Sequence, residues 1–301
     1  MAVEQRFTFD EIGNLYDRYR PGYPEELFKD LVSLSGIAAC DRILEIGCGT
    51  GLATLPLARR GYAMSCLEPG PRLASIARKN LAEFSGIDVA CETFEAWPCE
   101  VAAFGLVFSA QAFHWLAPEL RFTRSAEALR PGGSLAVIGN AVVGDRSPHG
   151  DPDGRLREAL DDVYARYAPS IQGPPVTGWY AEQGPIPELF SDSGCFGTVV
   201  ARRYPWSYHY DTSEYMGLME THSDHRLLPA EQRERLHDAI PRALERFGGG
   251  IKFLTRPIST SQSPRRNEAL GRTDGARRWR GWATLRNEEA FQARPQGAAG
   301  R

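Results

Sequence analysis

Three groups of residues in the first quarter of this 301-residue chain have the types and spacing to do chemistry together. They are a carboxylate, Glu45; three glycines at alternate positions, Gly47, Gly49 and Gly51; and a second carboxylate, Glu68, at the end of the next apolar run. A glycine loop between a strand and a helix offers bare backbone N–H groups and a helix N-terminus, and a pyrophosphate is its usual guest. The dinucleotide fingerprint would need Gly or Ala at position 52, where Leu52 stands. Glu45, just ahead of the loop, would repel a diphosphate and attract a cation. The guest is therefore expected to be positive beside the loop. Glu68 can accept hydrogen bonds from both hydroxyls of a ribose, which points to a nucleoside. The competing reading makes Glu68 an acid favoured by a helix dipole, since Pro69 and Pro71 mark a helix start.

The elements that must position these residues follow from hydrophobic period and punctuation. Short apolar runs at 42–46, 63–67, 87–91, 104–109 and 134–139 alternate with helix-period stretches at 24–35, 51–60, 71–84 and 119–130. That alternation predicts βαβ units, right-handed crossovers and a doubly wound α/β sheet. Turn-rich segments then flank a helical stretch at 153–168, which reads as an insertion. A helix at 185–194 and a strand at 197–206 resume the pattern, followed by helices at 212–222 and 229–247 and a last strand starting near Ile251. No internal repeat is visible.

Composition narrows the function classes. With 42% apolar and 24% charged residues the chain can bury a full α/β core. No run of 18 uncharged apolar residues is present and the first residues lack a signal-peptide pattern, so the expectation is a cytoplasmic protein with no membrane partner. The six cysteines show no CxxC pair and no metal-ligand spacing, so they read as reduced packing residues and no metal is expected. Net charge is −3, yet residues 258–301 hold nine Arg against four acids, which leaves the rest at −8. An acidic body does not suggest a nucleic-acid partner. The tail 258–301 has no sustained period and reads as a disordered basic segment; an arm for anionic partners, using Trp279, Trp282 and the arginines, is the other reading.

The stretch LEIGCGTG resembles the glycine motif of class I S-adenosylmethionine-dependent methyltransferases, an acid followed by Gly-x-Gly-x-Gly. The resemblance implies a Rossmann-like, mostly parallel seven-stranded sheet with helical insertions after strands 5 and 6. It also implies S-adenosylmethionine as cosubstrate, a cation that carries an ammonium and a sulfonium and no phosphate. Carried over residue by residue, it assigns donor binding to Glu45, Gly47, Cys48, Gly49, Gly51, Glu68 and Pro69. ACETFEAWP is similar to the family's adenine turn, which implicates Thr93 and Phe94, with Glu92 or Glu95 as alternative contacts to the adenine amino group. Phe94 and Trp97 read equally well as core residues under a loop.

Residues at the carboxyl ends of parallel strands face the ligand crevice, so Ser109, Ala110 and Gln111 are expected beside the sulfonium. AFHWL followed by ALRPGG resembles the type 11 small-molecule subgroup, which includes ubiquinone/menaquinone-type and trans-aconitate-type enzymes. His114 could then take a proton from the acceptor, or merely pack beside Trp115. LYDRYRPGYP is similar to that subgroup's N-terminal segment, which covers the donor and borders the acceptor pocket. It implicates Tyr19, as a donor contact and a second catalytic candidate, and Arg20 as a donor contact. Tyr16, Tyr19 and Arg20 are read as preceding the first helix.

The domain is expected over 1–257, with insertions at about 144–184 and 207–248 forming an acceptor-side cap. Trp179, Tyr180, Tyr215, Met219, His222 and His225 are its candidate lining, although Tyr215, Leu218, Met219 and His222 also read as a packing stripe. Arginines 18, 20, 202 and 203 would suit an acceptor carboxylate. The function this implies is direct in-line transfer of a methyl group to a small organic acceptor. A non-catalytic donor-binding protein and an NAD-linked oxidoreductase are the alternatives.

Overall fold

The computed structural model describes residues 9–142, 154–171, 179–180 and 184–262. By its internal contacts the chain separates into Met1–Arg266 and Asn267–Arg301; the second unit lies outside the described residues, and so does the expectation of disorder there.

A short 3-10 turn, Asp10–Ile12, leads into α1 (Gly13–Tyr19) and α2 (Glu25–Ser35). Pro24 sits at the N-cap of α2, Glu25 and Glu26 favour its positive end, and Gly36 closes it in the left-handed conformation at φ +63. Then follow β1 (Arg42–Ile46), α3 (Thr54–Ala58), β2 (Ala63–Leu67), α4 (Pro71–Asn80), β3 (Ile87–Ala90), β4 (Phe104–Ala110), α5 (Arg121–Ala128) and β5 (Leu129–Val142). Beyond them come α6 (Arg155–Tyr167), α7 (Ile186–Asp192), β6 (Val200–Arg203) and β7 (Trp206–Asp211). The described chain ends with α8 (Thr212–Glu220), α9 (Ser223–Arg226), α10 (Ala230–Glu245) and β8 (Gly250–Gln262).

The sheet runs β3-β2-β1-β4-β5-β8-β6, with β7 also paired to β8. The first five strands are mutually parallel, and β8 is antiparallel to β5, β6 and β7. Both faces are covered, and alternate residues of each central strand feed opposite cores. Ile43, Leu106 and Ile138 join Leu27, Phe28 and Leu57 on one side. Leu44, Val107 and Val137 join Phe122, Phe190 and Phe196 on the other. A strand covered on both faces must be apolar throughout, which is why β4 is buried over six consecutive residues.

Four expectations need correction. The sheet has eight strands among the described residues, not seven, because the run expected at 197–206 stops at Arg203 and restarts at Trp206 around Pro205. Its second half, β7, occupies the start of the segment expected as a helical insertion. Tyr16 and Tyr19 do not precede the first helix but lie within α1. The domain boundary expected at 257 falls inside β8, which pairs with β5 as far as Leu135↔Gln262 and with β6 as far as Val200↔Ser261.

The segments flanking β7 build a separate apolar cluster. Leu156 and Leu160 of α6 pack with Tyr215, Leu218 and Met219 of α8 and with Leu236, Ile240 and Leu244 of α10. The Tyr215 stripe is thus core packing. A reciprocal capping box starts α8: Glu214 N–H donates to Asp211 Oδ1 at 2.8 Å and Asp211 N–H donates to Glu214 Oε2 at 3.1 Å.

Ending the chain after Pro257 removes the β8 residues that pair with both β5 and β6, and should cost on the order of 3 to 5 kcal/mol from lost ladder bonds alone. Urea denaturation compares this truncation with the full chain; an unchanged midpoint would show that the β8 extension contributes nothing.

Candidate functional site

The order of strands in the sheet reverses between β1 and β4, and at such a point the loops beyond the strand ends part to form a crevice. The glycine loop follows β1 into it. Gly47 N–H and Cys48 N–H both donate to Leu67 O, at 2.8 and 3.0 Å, which ties the loop to the end of β2. Gly47, Gly49 and Gly51 have φ of +73, +58 and +93, where a side chain would be strained. A Cβ on Gly47 would also lie 2.5 Å from Cβ of Ala112, so the loop packs directly on the turn after β4. Cys48 is buried and its side chain neighbours Cys66, inside the core and under the loop.

Glu45 is 1% exposed. Thr54 Oγ1 donates to its Oε2 at 2.6 Å, while its Oε1 is buried without a partner. Burial pushes its pKa up to about 8, against the lowering effect of the Thr54 bond, and Glu68 adds to the rise. By its burial this group is largely a neutral acid at neutral pH, and it carries its charge where a positive guest offsets desolvation. Thr50 Oγ1, within the loop, is likewise buried without a partner. Glu68 is buried at the end of β2 and accepts from Gly49 N–H and Gly70 N–H, both at 2.9 Å, one on each oxygen. Each carboxylate oxygen has a second lone pair, so two further donors can still be taken. Burial raises its pKa, the two backbone bonds oppose this, and Asp10 adds to the rise. Pro69 follows on the way to α4, and its carbonyl faces the Cys91 thiol at 3.9 Å.

Across the loop stands Tyr16, a residue the motif reading passed over in favour of Tyr19. A Cβ on Gly49 would be 3.7 Å from Tyr16 Cε1. Its phenol pKa is raised, first by burial, with Arg20 lowering and Glu68 raising it. Tyr19 instead turns into the helical cap. Its ring lies where a Cβ on Gly217 would be, 2.4 Å from Cε2, and its carbonyl accepts from Tyr210 Oη at 3.0 Å. Arg20 is also spoken for: Nε donates to Thr221 Oγ1 at 2.8 Å and Nη2 to Thr221 O at 2.7 Å. These two residues clasp α1 to α8, and the Arg20 guanidinium also lies 5.3 Å from the ring centroid of Tyr16.

Of the adenine-turn candidates, Phe94 is buried and stacks on Trp97, with centroids 6.5 Å apart, and the Arg124 guanidinium lies 5.6 Å from its ring centroid. It is a core ring. Thr93 shapes the turn: its carbonyl accepts from Trp97 N–H at 2.9 Å and its Oγ1 from Ala96 N–H at 3.2 Å. Glu95 is committed to Ala117 N–H at 3.0 Å. At the end of β4, Ser109 is fully buried and donates to Ile46 O at 2.9 Å, so it braces β1 and does not enter the crevice. Ala110 is half-buried and packs against the core. Gln111 has φ +57, a strained conformation for a non-glycine residue. Its N–H donates to Ile138 O at 2.8 Å and its Nε2 to Asn140 O at 3.1 Å.

Asn140, at the end of β5, was missed by ending that strand at Gly139; the rule that selected Ser109 to Gln111 applies equally to it. It donates from Nδ2 to Gly22 O at 3.3 Å, and its Oδ1 is buried without a partner. His114 lies in a 3-10 turn, Phe113–Trp115, with Nδ1 2.9 Å from Tyr180 Oη. Burial lowers its pKa to about 4, so it is neutral near pH 7 and a weak base. Tyr180 in turn sits on Gly139, where a Cβ would fall 2.0 Å from its Cδ1. Tyr23 lies within electrostatic reach of Tyr16, Tyr180 and Glu45, and Tyr180 within reach of Tyr16.

Away from the crevice, His222 caps α9, and His225 has both ring nitrogens taken, Nε2 by Tyr164 Oη at 3.1 Å and Nδ1 by His237 Nε2 at 3.2 Å. Among the described residues no three His, Cys, Asp or Glu side chains gather to hold a metal ion. The arrangement at the strand ends has unmatched acceptors in Glu45 Oε1 and Asn140 Oδ1, an acidic pair of oxygens at Glu68, and backbone held bare by glycine. It suits a guest that brings cationic N–H donors and a diol.

Residues 43–133 match the family model described as a methyltransferase domain. The chain is 27% identical over 241 residues to an uncharacterised methyltransferase of Mycobacterium tuberculosis (strain ATCC 25618 / H37Rv), covering 80% of this chain and 87% of that one. It is 28% identical to a trans-aconitate 2-methyltransferase of Mycobacterium tuberculosis (strain ATCC 25177 / H37Ra), over 72% and 78% of the two chains. Among solved structures, one from Anaeromyxobacter dehalogenans assigned as a type II methyltransferase superposes with a TM-score of 0.55 at 20% identity, over 81% of this chain and 98% of that one.

A Glu45 pKa raised in the folded state means that the native protein holds a proton the unfolded chain releases. Stability of the ligand-free protein should therefore fall as pH rises from about 4.5 towards 8, by roughly 3 to 5 kcal/mol. Glu45→Gln should remove that part of the dependence, since Thr54 can still donate to the amide. Urea midpoints of both proteins at pH 5 and pH 8.5 give the comparison; parallel curves would mean that Glu45 titrates normally.

Proposed function

We propose that this chain is an S-adenosylmethionine-dependent methyltransferase, that the crevice at the ends of β1, β2 and β4 holds the donor and that a small organic acceptor enters from the side of His114 and Asn140. The observation that carries this reading is the unmatched Glu45 Oε1 beneath a glycine loop, an oxygen that becomes a charged acceptor when a cationic donor displaces the carboxyl proton. S-adenosylmethionine supplies an activated methyl on a sulfonium and, with its ammonium and ribose hydroxyls, complements the groups present. In this reading Glu45 and Asn140 face the ammonium end, Glu68 takes the ribose hydroxyls on its remaining lone pairs, and the backbone of Gly47 to Gly51 lies against the methionine part. Pro69, Thr93 and Gln111 border the nucleoside and the sulfonium, and Tyr16 covers the loop.

The reaction is an in-line displacement: a lone pair of the acceptor forms the new bond to the methyl carbon as the carbon–sulfur bond breaks, and its electrons remain on sulfur, leaving S-adenosylhomocysteine. The chain's own contribution is alignment and exclusion of water, worth up to ~7 to 11 kcal/mol in well-oriented systems. His114, neutral and tied to Tyr180, serves to orient the acceptor, because a base with a pKa of about 4 is poorly matched to proton removal at neutral pH. The cap of α6 and α8 to α10 forms the acceptor-side cover. An acidic body favours a small-molecule acceptor over nucleic acid. No helix among the described residues is long and apolar enough to cross a membrane, in keeping with the cytoplasmic setting we propose. An NAD-linked oxidoreductase or a non-catalytic binder is not favoured, given methyltransferase relatives and a loop with Leu52 in place of the third dinucleotide glycine.

Calorimetry with S-adenosylmethionine should show Glu45→Gln and Glu68→Ala each weakening binding by about 1.5 to 3 kcal/mol, the value of a charge-assisted hydrogen bond. Binding at pH 7 should also expel about one proton from Glu45, seen as a heat that varies with the ionisation enthalpy of the buffer. The release should vanish at pH 9.5 and in Glu45→Gln. Undiminished affinity in both variants would remove the site from the ends of β1 and β2.

A further inference from the structure

Arg121 is a buried cation that the fold does not account for. It is the first residue of α5 and only 5% exposed. Its Nε has no hydrogen-bond partner, and no described carboxylate forms an ion pair with it. Its neighbours are aromatic: the guanidinium carbon is 4.8 Å from the ring centroid of Trp179, 5.5 Å from Phe122 and 5.8 Å from Phe113. Ring faces attract a cation but cannot accept its N–H groups in the plane of the fork. Its place at the N-terminus of α5 adds repulsion from the helix dipole. Burial lowers its pKa, with Glu119 and Tyr180 opposing, yet a guanidinium stays charged. Other partly buried arginines are matched: Arg130 by Asp41, Arg20 by Thr221, Arg78 by the Val89 carbonyl. Arginines 18, 202 and 203, considered for this task from sequence, are exposed.

Its location gives the unmatched charge a use. Trp179, which lies over the guanidinium, has its centroid 6.2 Å from that of His114, and His114 is bonded to Tyr180. Guanidinium, indole and imidazole thus follow one another, Arg121 against Trp179 and Trp179 near His114, in the turn that follows β4. A fork of parallel N–H groups beside a flat apolar ring is suited to a carboxylate or phosphate attached to an apolar body. We propose that Arg121 binds an anionic group of the methyl acceptor, with the adjoining part of that molecule against Trp179. The identification of the guest as the acceptor rests on the methyl-transfer reading above; the anion site does not.

The test is thermal denaturation of the full chain with S-adenosylhomocysteine present, at constant ionic strength, adding sodium benzoate, inorganic phosphate or neutral benzamide in place of chloride. The wild-type protein should gain several degrees with benzoate, phosphate or both, and nothing with benzamide. Which anion acts distinguishes a carboxylate from a phosphate acceptor. Arg121→Met should abolish the gain, and Arg121→Lys, a point charge without the fork, should bind the same anion at least threefold more weakly. Without ligand, Arg121→Met should be no less stable than wild type, since an unmatched buried charge has been removed. An anion effect that survives in Arg121→Met, no anion effect in wild type, or a large loss of stability in Arg121→Met alone would each overturn the proposal, the last by making Arg121 a structural cation. An Arg121-dependent anion effect without methyl transfer to any carboxylate or phosphate ester would leave the anion site standing and count against its being the acceptor's. Failure of S-adenosylhomocysteine to bind would count against the donor reading instead.

Discussion

A carboxyl group sealed at the end of β1, with one oxygen matched by Thr54 and the other unmatched, constrains most of what surrounds it. Glu45 can be buried there only because β1 lies between β2 and β4, so that no water reaches it from the sides. The loop that follows must then turn at once, and it does so through three glycines in the left-handed region, pinned to the Leu67 carbonyl. Burial without full satisfaction costs free energy, and folded proteins concentrate such costs where a ligand relieves them. The strained Gln111 and the unmatched Asn140 Oδ1 stand at neighbouring strand ends, so the destabilising features of this sheet converge on one end of it.

The N-terminal segment joins that end of the sheet to the cap. Asp10 accepts from the first N–H groups of α4, Arg72 and Leu73, at 2.7 and 3.0 Å. Asn80 bridges Asp17 of α1 and the Thr50 carbonyl of the glycine loop. Two residues past Asp17, Tyr19 fits against Gly217, and Arg20 holds Thr221. One short helix thus reads the position of the loop on one side and of α8 on the other. Tyr16, between these two sets of contacts, is the residue that reaches the loop itself.

The central sheet was legible in the sequence because its strands are apolar throughout and its helices carry a clear period; the parallel strands and the crevice at their ends follow from that alone. Glycines at 47, 49 and 51 were equally plain, since only a turn of this kind requires them. What could not be read was direction within short segments. Tyr16 and Tyr19 are one helical turn apart, and nothing in their types says which faces the loop; the Gly217 gap that receives Tyr19 is almost 200 positions away. Phe94 allowed both a ligand contact and a core reading because aromatic residues serve both purposes; its ring is buried and stacked on Trp97. Arg121 escaped notice because a single arginine opening a helix is ordinary in sequence, and only the rings of Phe113 and Trp179 bury it. The strand expected over 197–206 was broken by Pro205, a residue without the N–H that an unbroken ladder needs.

That break shapes the outer border of the molecule. A sheet that stops leaves a row of open N–H and C=O groups, on which a strand of another chain can dock and start an aggregate. Here the position beyond β8 is filled by two pieces, β6 and β7, of four and six residues, with Pro205 between them. Arg202 and Arg203 lie exposed on the outer piece, and its pairing partner β8 is already occupied on both sides. At the opposite border β3 is only four residues long. Among the described residues a foreign strand would find no long, uncharged template at either border, which works against self-association through strand exchange.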